Sequence, residues 1–486
     1  MAKGETARDH DDGGAVPASV WRTAFLLAFG SLMAGLDTSL VNVGLDTIGT
    51  RLDAPLSTAQ WVNSGYLLAL AAALPACGWL SKRIGAGRLW LWALAGFTVA
   101  SGLCAVAPDI IWLVVGRVVQ GVAGGLLVPA GMTILGQVAG KGRMGRVIAI
   151  SSVPSILAPA FGPVLGAVLI ANLSWHWLFL INLPIGLLGL LLALRHLPRG
   201  ERDEAGRLDL VALGLVVIGL PLTVYALTEI SGSSSGPRAW IPLVIGLVAL
   251  GAFGWRSLRG EEPLMDLRLV ANRRFAAASA EVFFAGASLF GGLVVMPLYF
   301  QLQLGADIVD VGLLLMAFSI GAAATFPAAG WLNDRFGGGV VAVAGLVLTV
   351  ATTAAMALLP DRPDLVLVEV LQVLRGIGMA LAGSPGVSSA LASVDRRQLP
   401  DASAQVNILS RVGGALGSAL FVVILSDGAT DPAAFRETFW WLTGASLVAL
   451  AAAVWLTHEQ HIVGHPTTSS VPLVLPASEH LEGKAT

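Results

Sequence analysis

Apolar residues run along this chain in long unbroken stretches, unlike the alternating or half-polar patterns of soluble strands and helices. A segment that crosses a bilayer needs about 20 mostly apolar residues, and only a helix satisfies its own backbone there. The pattern predicts fourteen such helices, at residues 20–45, 57–80, 89–107, 111–138, 145–171, 176–194, 208–229, 240–255, 275–302, 308–332, 340–359, 364–394, 403–425 and 438–456. The span at 240–255 is the shortest. Residues 1–19 are polar and read as a tail. Their Glu5, Asp9, Asp11 and Asp12 do not suit a secretory signal, which needs a basic start and a cleavage site. Residues 457–486 read as a second tail, because their apolar piece, Val471 to Leu475, is too short to span.

Composition sharpens this reading. Of 486 residues, 55% are hydrophobic and 12% charged, against about 25% charged in an ordinary soluble domain. That is too little charge for the polar skin of a soluble body. A net charge of −2 provides no basic excess for nucleic acid. Two cysteines, Cys77 and Cys104, exclude a disulfide scaffold by number.

The placement of charge sets the orientation. With the N-terminus in the cytoplasm, the inner loops (81–88, 139–146, 195–207, 256–274, 334–339, 395–403) hold 18 Lys and Arg, and the outer loops hold four: Arg51, Arg238, Arg362 and Arg436. Positive residues favour the cytoplasmic side. The expectation is an even number of spans in the cell's inner (plasma) membrane, with both termini cytoplasmic.

The chain also repeats itself. Gly78-Trp-Leu-Ser-Lys-Arg-Ile-Gly-Ala-Gly87 follows the second span and Gly330-Trp-Leu-Asn-Asp-Arg-Phe-Gly-Gly-Gly339 follows the tenth, with six of ten positions identical at an offset of 252. Gly121 pairs with Gly376 at 255, and Gly162 with Gly413 at 251. Spans 1–6 therefore correspond to spans 9–14, and spans 7–8 are an insertion. Parallel repeats about an axis along the membrane normal describe the two halves of a rocking transporter. The predicted domains are an N-terminal tail (1–19), a six-helix bundle (20–195), two inserted helices with their loops (196–274), a second six-helix bundle (275–456) and a C-terminal tail (457–486).

These residues resemble the major facilitator superfamily, specifically its fourteen-helix drug:proton antiporter family of the EmrB/QacA type, over about residues 20–456. The stretch after span 2 is similar to G-x-L-x-D-R-x-G-R-K, and Leu36-Asp37-Thr38-Ser39-Leu40-Val41-Asn42-Val43 to L-D-x-T-x-V-N-V-A-L-P. Arg117-Val-Val-Gln120-Gly121 resembles R-x-x-Q-G, and Gly162-Pro163-Val-Leu-Gly166 resembles G-P-x-x-G-G. The run Trp175-His-Trp177-Leu-Phe179-Leu-Ile-Asn182-Leu-Pro184-Ile-Gly186 resembles W-R-W-x-F-x-I-N-x-P-I-G. The resemblance implies an all-α polytopic membrane protein with the major facilitator fold: two six-helix halves plus two inserted central helices.

The chain departs from the family's patterns at several positions. Lys82 stands where the first loop motif has Asp, a charge reversal; in the family that Asp is thought to help latch the cytoplasmic side. The second copy keeps Asp334 and Arg335, so an acidic latch is expected in the C-terminal half. Ser410-Arg411 precede Val412-Gly413-Gly414 where the family often has Arg-Gln before Gly-Gly, which turns the Arg about 100° around its helix.

Ionisable groups inside a span are costly and usually face a cavity or a partner. Asp37 lies some 16 residues into span 1 and is the expected proton carrier; its structural alternative is a pair with an Arg such as Arg117. Arg117 stays charged, so its expected part is to tune a carboxylate, with interhelical anchoring as the alternative. Asn42, Gln120, Glu281, Asn407 and Arg411 are candidates for a substrate cavity. The loop motifs contribute Gly78, Lys82, Arg83 and Gly85, and again Gly330, Asp334, Arg335 and Gly337. In span 5, Pro159, Gly162, Pro163 and Gly166 suit either a bend that prevents leak or close packing. Tryptophans near span ends, such as Trp112, Trp175 and Trp240, are expected interfacial anchors.

The function expected from these features is proton-coupled export of hydrophobic or amphipathic compounds by alternating access, with a dedicated exporter of one metabolite, antibiotic or siderophore as the alternative. Protons, a small-molecule substrate and the bilayer are the expected partners, without nucleic acid, and the monomer is the expected working unit. No cofactor, metal site or catalytic residue is expected. The chain shows no H-x-x-x-H, C-x-x-C or G-x-S-x-G site, and Gly136 to Gly142 has the wrong spacing for a Walker loop. A channel or membrane enzyme is therefore a remote reading.

Overall fold

The computed structural model of the chain describes residues 16–200, 206, 208–231, 237–260, 263–306, 308–360, 363–426 and 432–464. All its regular elements are helices. The first half comprises α1 (Ala18–Arg51), α2 (Leu56–Ala59), α3 (Trp61–Ala73), α4 (Ala76–Ile84), α5 (Ala86–Ala105), α6 (Ile110–Ala139), α7 (Met144–Asn172), α8 (Trp177–Leu180) and α9 (Asn182–His196). Two helices follow, α10 (Leu210–Ser231) and α11 (Pro237–Arg259). The second half comprises α12 (Arg273–Leu302), α13 (Ile308–Phe336), α14 (Gly338–Ala357), α15 (Leu365–Ala392), α16 (Leu399–Ser426) and α17 (Pro432–Gly464).

Among the described residues, eleven helices are long and apolar enough to cross a membrane, or twelve if α3 and α4, bent by 58°, form one span. The remaining two expected positions are held by α7 and α16, of 29 and 28 residues. The shortest predicted span is a full 23-residue helix, α11. Large apolar side chains are exposed along the spans, among them Trp92, Ile111, Leu210 and Val248, as lipid-facing surfaces require.

Three local expectations change. The repeated glycine motifs are not loops. They form the last turns of α4 and α13, and the chain then reverses at single glycines, Gly85 (φ 90°) and Gly337 (φ 87°), 252 residues apart. Glycine tolerates that left-handed backbone and so ends each helix sharply. Helix α17 runs to Gly464, eight residues into the expected tail, because Gln460 accepts from the Gly339 N–H (2.9 Å) and donates to Ser389 Oγ (3.2 Å). Trp175 is buried rather than interfacial, stacked 4.0 Å from His176 and edge-on to Phe179, whereas Trp112 and Trp240 are exposed.

The repeat is a repeat of packing. Gly121 lets α6 press on the backbone of α3 at Tyr66, and Gly376 lets α15 press on α13 at Phe318. Gly162 brings α7 against Ser39 of α1, and Gly413 brings α16 against Phe283 of α12. Inserted helix α10 packs on both α3 and α16, flanking the seam between the halves.

The halves meet at one end of the bundle, the end that carries most of the basic loops. One buried apolar cluster there draws residues from both halves, including Ala130, Ile134, Phe275, Leu399 and Ala402. Toward the opposite end the buried clusters separate, one around Leu40 and Phe179, the other around Phe300 and Phe439.

Candidate functional site

Midway along α1, Asp37 is completely buried, and every group that touches its carboxylate comes from another helix. Arg117 Nη1 on α6 forms an ion pair with Oδ2. Gln120 Nε2, one turn further along α6, donates to Oδ1 at 2.8 Å, and Asn182 Nδ2 at the start of α9 donates to the same oxygen at 2.9 Å. Arg117 is itself held by the Val62 carbonyl (3.0 Å) and Gln120 Oε1 (2.7 Å), and its guanidinium lies 4.1 Å from the Tyr66 ring centroid. Asn182 also donates to Ser101 Oγ at 3.0 Å, and Ser101 donates to the Phe179 carbonyl at 2.9 Å.

A buried charge is tolerable only when paired and hydrogen-bonded. Asp37 meets both conditions. The cluster is not saturated, however: Arg117 Nη2 and Asn182 Oδ1 have no hydrogen-bond partner. An unmet buried donor or acceptor costs about 1–3 kcal/mol, so the network has both capacity and incentive to exchange partners. Neutralising Asp37 would remove one charge of this pair, while Val62 and Gln120 would still hold Arg117.

The second half buries charge differently. Glu281 on α12 is fully buried, neither carboxylate oxygen has a partner, and Oε2 lies flush against Gly386 of α15, where any Cβ would collide. Arg375 on α15 is buried against Gly292, donates from Nη2 to the Ser288 carbonyl at 3.1 Å, and leaves Nε unpartnered.

Two polar contacts lock the halves at their common end. Lys82 Nζ on α4 meets Asp401 Oδ2 in the first turn of α16 at 2.5 Å. Asp334 on α13 accepts from the Gly145 N–H (2.9 Å), the Arg146 N–H (3.3 Å) and Arg146 Nε (2.8 Å), capping the start of α7. The acidic contact expected in the second half is thus present. Lys82 has a reason as well: its partner carboxylate, Asp401, stands in the opposite half, so a cation on α4 completes an ion pair across the seam. Gly78 and Gly330 permit the approach, since side chains there would strike Asp401 and Arg146 respectively. Thr133 and Ser403 hydroxyls (2.8 Å apart) and Arg396 Nη2 on the Gln137 carbonyl (2.6 Å) add to the same seam.

Of the expected cavity residues, Gln120 and Glu281 are buried with no exposed surface, the first as a ligand of Asp37 and the second against α15. Asn42 is exposed and accepts from Asn63 Nδ2 at 2.7 Å. Asn407 donates to the Ser403 carbonyl at 2.8 Å and lies 3.2 Å from Met132 Sδ across the seam. Arg411 is half-buried on α16. Arg335 stacks on Trp331 and Phe336, and Arg83 is exposed. Gly162 and Gly166 line the α1–α7 contact; the side chains of Pro159 and Pro163 lie outside the described residues.

Sequence reasoning missed Asn182, Ser101, Arg146 and Asp401. Asn182 stood in a motif quoted above, but nothing in its spacing tied it to Asp37, 145 residues earlier. Among the described residues no group of three or more His, Cys, Asp or Glu is placed to hold a metal ion.

Comparison with known proteins finds relatives of the chain as a whole. A family model described as Major Facilitator Superfamily matches residues 27–290 and 278–479. A "Multidrug resistance protein B homolog" of Mycobacterium tuberculosis is 33% identical over 410 residues, covering 83% of this chain and 76% of that protein. "Lincomycin resistance protein LmrB" of Listeria monocytogenes is 26% identical over 82% of this chain and 85% of its own length. Among solved structures, the human organic anion transporter MFSD10 superposes with a TM-score of 0.64 at 17% identity, covering 90% of this chain and all of that one. The proton:xylose symporter XylE superposes with a TM-score of 0.61 at 13% identity, over 89% and 95%.

Proposed function

This chain belongs to the major facilitator superfamily, and we propose that it is a proton-driven exporter of hydrophobic or amphipathic compounds, a multidrug efflux antiporter. The observation that carries the reading is the Asp37 cluster: one carboxylate at mid-span, held by Arg117, Gln120 and Asn182, with unmet polar atoms beside it. The relatives named for multidrug and lincomycin resistance support the substrate class. The protein sits as a monomer in the inner membrane with both termini cytoplasmic, and the gradient alone drives it, without a cofactor.

In this reading the basic end of the bundle is cytoplasmic, and the halves are closed there. Proton and substrate bias the same inward–outward equilibrium in opposite directions, which is what coupling means. Protonation neutralises Asp37, removes one charge of its pair with Arg117, and so weakens the tie between α1 and α6. Arg117 tunes the carboxyl and does not itself carry the proton.

Reconstitution in proteoliposomes with an imposed pH gradient, across a chemically mixed substrate panel, tests the proposal. Gradient-dependent accumulation of several unrelated compounds is expected. No gradient-driven movement would sink the antiporter reading, and a single accepted compound would replace the multidrug reading with a dedicated exporter.

A further inference from the structure

The Asp37 cluster leaves Glu281 unused, and Glu281 is the harder residue to justify structurally. An ionised carboxylate with no partner is far more costly to bury than a neutral acid. Both its oxygens lack partners, and the wall that covers it is the backbone of Gly386. Among the described residues no charged side chain hydrogen-bonds or pairs with it.

The charged groups on every element packed against it are engaged or remote. On its own helix, Arg273 is exposed and Arg274 donates to the carbonyls of Glu459 (3.2 Å) and Gln460 (3.5 Å). On α13, Asp334 is bound to α7, Arg335 stacks on its own helix, and Asp310 lies at the far end. On α15, Glu369 is exposed and Arg375 stands eleven residues from Gly386, about 16 Å along the helix. On α16, Asp401 holds Lys82, and Arg411 makes no hydrogen bond or ion pair with Glu281. On α17, Glu459 accepts from Trp455 Nε1 at 3.3 Å, His458 and His461 are exposed, and Arg436 and Glu437 lie at the opposite end. Before α12, the Asp266 carboxylate caps its own short turn at the Arg268 N–H (3.1 Å), and Arg268 Nη2 donates to the carbonyls of Leu258 (3.2 Å) and Gly260 (2.8 Å).

Glu281 also lies close to the moving end. It is eight residues, about 12 Å, from Arg273. A crevice of about 170 Å³ opens between the halves at that end, walled by Gly145 and Asp334 and by Ser388 and Ser389, within one turn of Gly386 on α15. The same crevice contains the Asp334 latch, so unlatching would widen the approach to the Gly386 wall.

We propose that Glu281 is a proton-binding gate residue: it is a neutral acid while the cytoplasmic ends of the halves are closed, and it ionises when they part. On opening, the carboxyl O–H bond breaks, the proton passes to cytoplasmic water, and a hydrated carboxylate remains; closing reverses each step. Closure therefore takes up one proton at Glu281, separately from any proton on Asp37. Cytoplasmic acid favours the closed end and alkali the open one, by up to about tenfold in the closed-to-open ratio per pH unit for one linked proton. The proposal rests on the cytoplasmic assignment and alternating access argued above, but not on a substrate.

The test uses the full chain in lipid nanodiscs without substrate or gradient, so its failure is distinguishable from failure of the antiporter reading. Infrared spectra across a pH titration follow the protonated-carboxyl stretch, while spin labels at Arg83 and Phe336 report the separation of the two halves. The expected result is an acid band that fades in step with opening in the unmodified protein and is missing from Glu281→Gln, whose closed form persists about tenfold further per pH unit. Glu281→Asp keeps the acid and shifts the band, which preserves the test if the glutamine variant fails to fold. Identical acid bands with and without Glu281, or the same pH dependence of opening in both, would overturn the proposal.

Discussion

In the first half, Arg117 and Gln120 stand three residues apart on α6 and both bond Asp37; in the second, the order is reversed, with Gln372 and Arg375 on α15. The offset of 255 that relates Gly121 to Gly376 also relates Arg117 to Gln372 and Gln120 to Arg375. At the offset of 251 that relates Gly162 to Gly413, the counterpart of Asp37 is Ser288, and Arg375 reaches only its carbonyl. The carboxyl of the second half lies seven residues away, two turns nearer the latches, as Glu281. Duplicated packing has thus been kept while charge has been rearranged. One half holds its carboxylate in a polar cluster at mid-span; the other keeps its carboxyl dry beside the gate.

This contrast can be broken most severely at Arg117. Arg117→Leu strands a buried carboxylate, and removing one partner of such a pair costs about 3–5 kcal/mol. Thermal unfolding in nanodiscs should show the loss; a change below about 1 kcal/mol would mean that the pair contributes little. Asp37→Asn should be milder, at about 1–3 kcal/mol, because the amide keeps the shape of the carboxylate and an oxygen that can still accept from Arg117. Glu281→Gln breaks no hydrogen bond and should change stability by less than about 0.5 kcal/mol. Equal losses at the two carboxyls would erase the distinction drawn between the halves.

The Gly386 wall sharpens the comparison further. Gly386→Ala drives a methyl into Glu281 and should cost about 1–3 kcal/mol as overpacking. In a double-mutant cycle with Glu281→Ala most of that loss should disappear; additive losses would place the strain elsewhere.

At the latch, Lys82→Ala leaves buried Asp401 without its cation, a loss of about 1–2 kcal/mol for the closed form. Label distances across the seam should lengthen, and the exchanged pair Lys82→Asp with Asp401→Lys should restore part of the closure. No recovery would show that α4 and α16 are not joined by this charge pair.

The smallest effect is expected at the inserted helices. Asp209 caps α10 at the Ala212 N–H (3.0 Å) and accepts from Arg256 Nε of α11 (2.6 Å), and this hydrogen bond holds its carboxyl below the usual carboxylate range. A depressed carboxyl contributes stability above its unfolded value and loses it as pH falls through the folded one. Asp209→Asn should therefore melt slightly below the unmodified protein at neutral pH and converge with it in acid. A difference that persists in strong acid would assign the effect to capping alone.

Much of the fold was legible because lipid imposes one rule on every segment. Twenty apolar residues must be helical, so the spans, the repeat at offset 252 and the weak span now seen as α11 could be read from sequence. Charged residues inside spans also stood out by rarity, which marked Asp37, Arg117 and Glu281 as candidates. Their partners could not be found this way. Asn182 and Ser101 are common polar residues, and contact with Asp37 depends on how α1, α5, α6 and α9 converge. Asp401 looked like an ordinary loop acid until α16 placed it against Lys82. The glycine motifs read as loops because their charge resembled a loop; only the single positive-φ residues, Gly85 and Gly337, show that helix continues up to the turn.

The central claim is that Asp37 couples the proton to transport, and one comparison tests it most directly. In proteoliposomes, Asp37→Asn and the unmodified protein are assayed side by side for gradient-driven accumulation and for substrate exchange without a gradient. The account predicts that the variant still exchanges substrate but no longer accumulates it when the pH gradient is imposed. Accumulation that still follows the gradient in Asp37→Asn would contradict it.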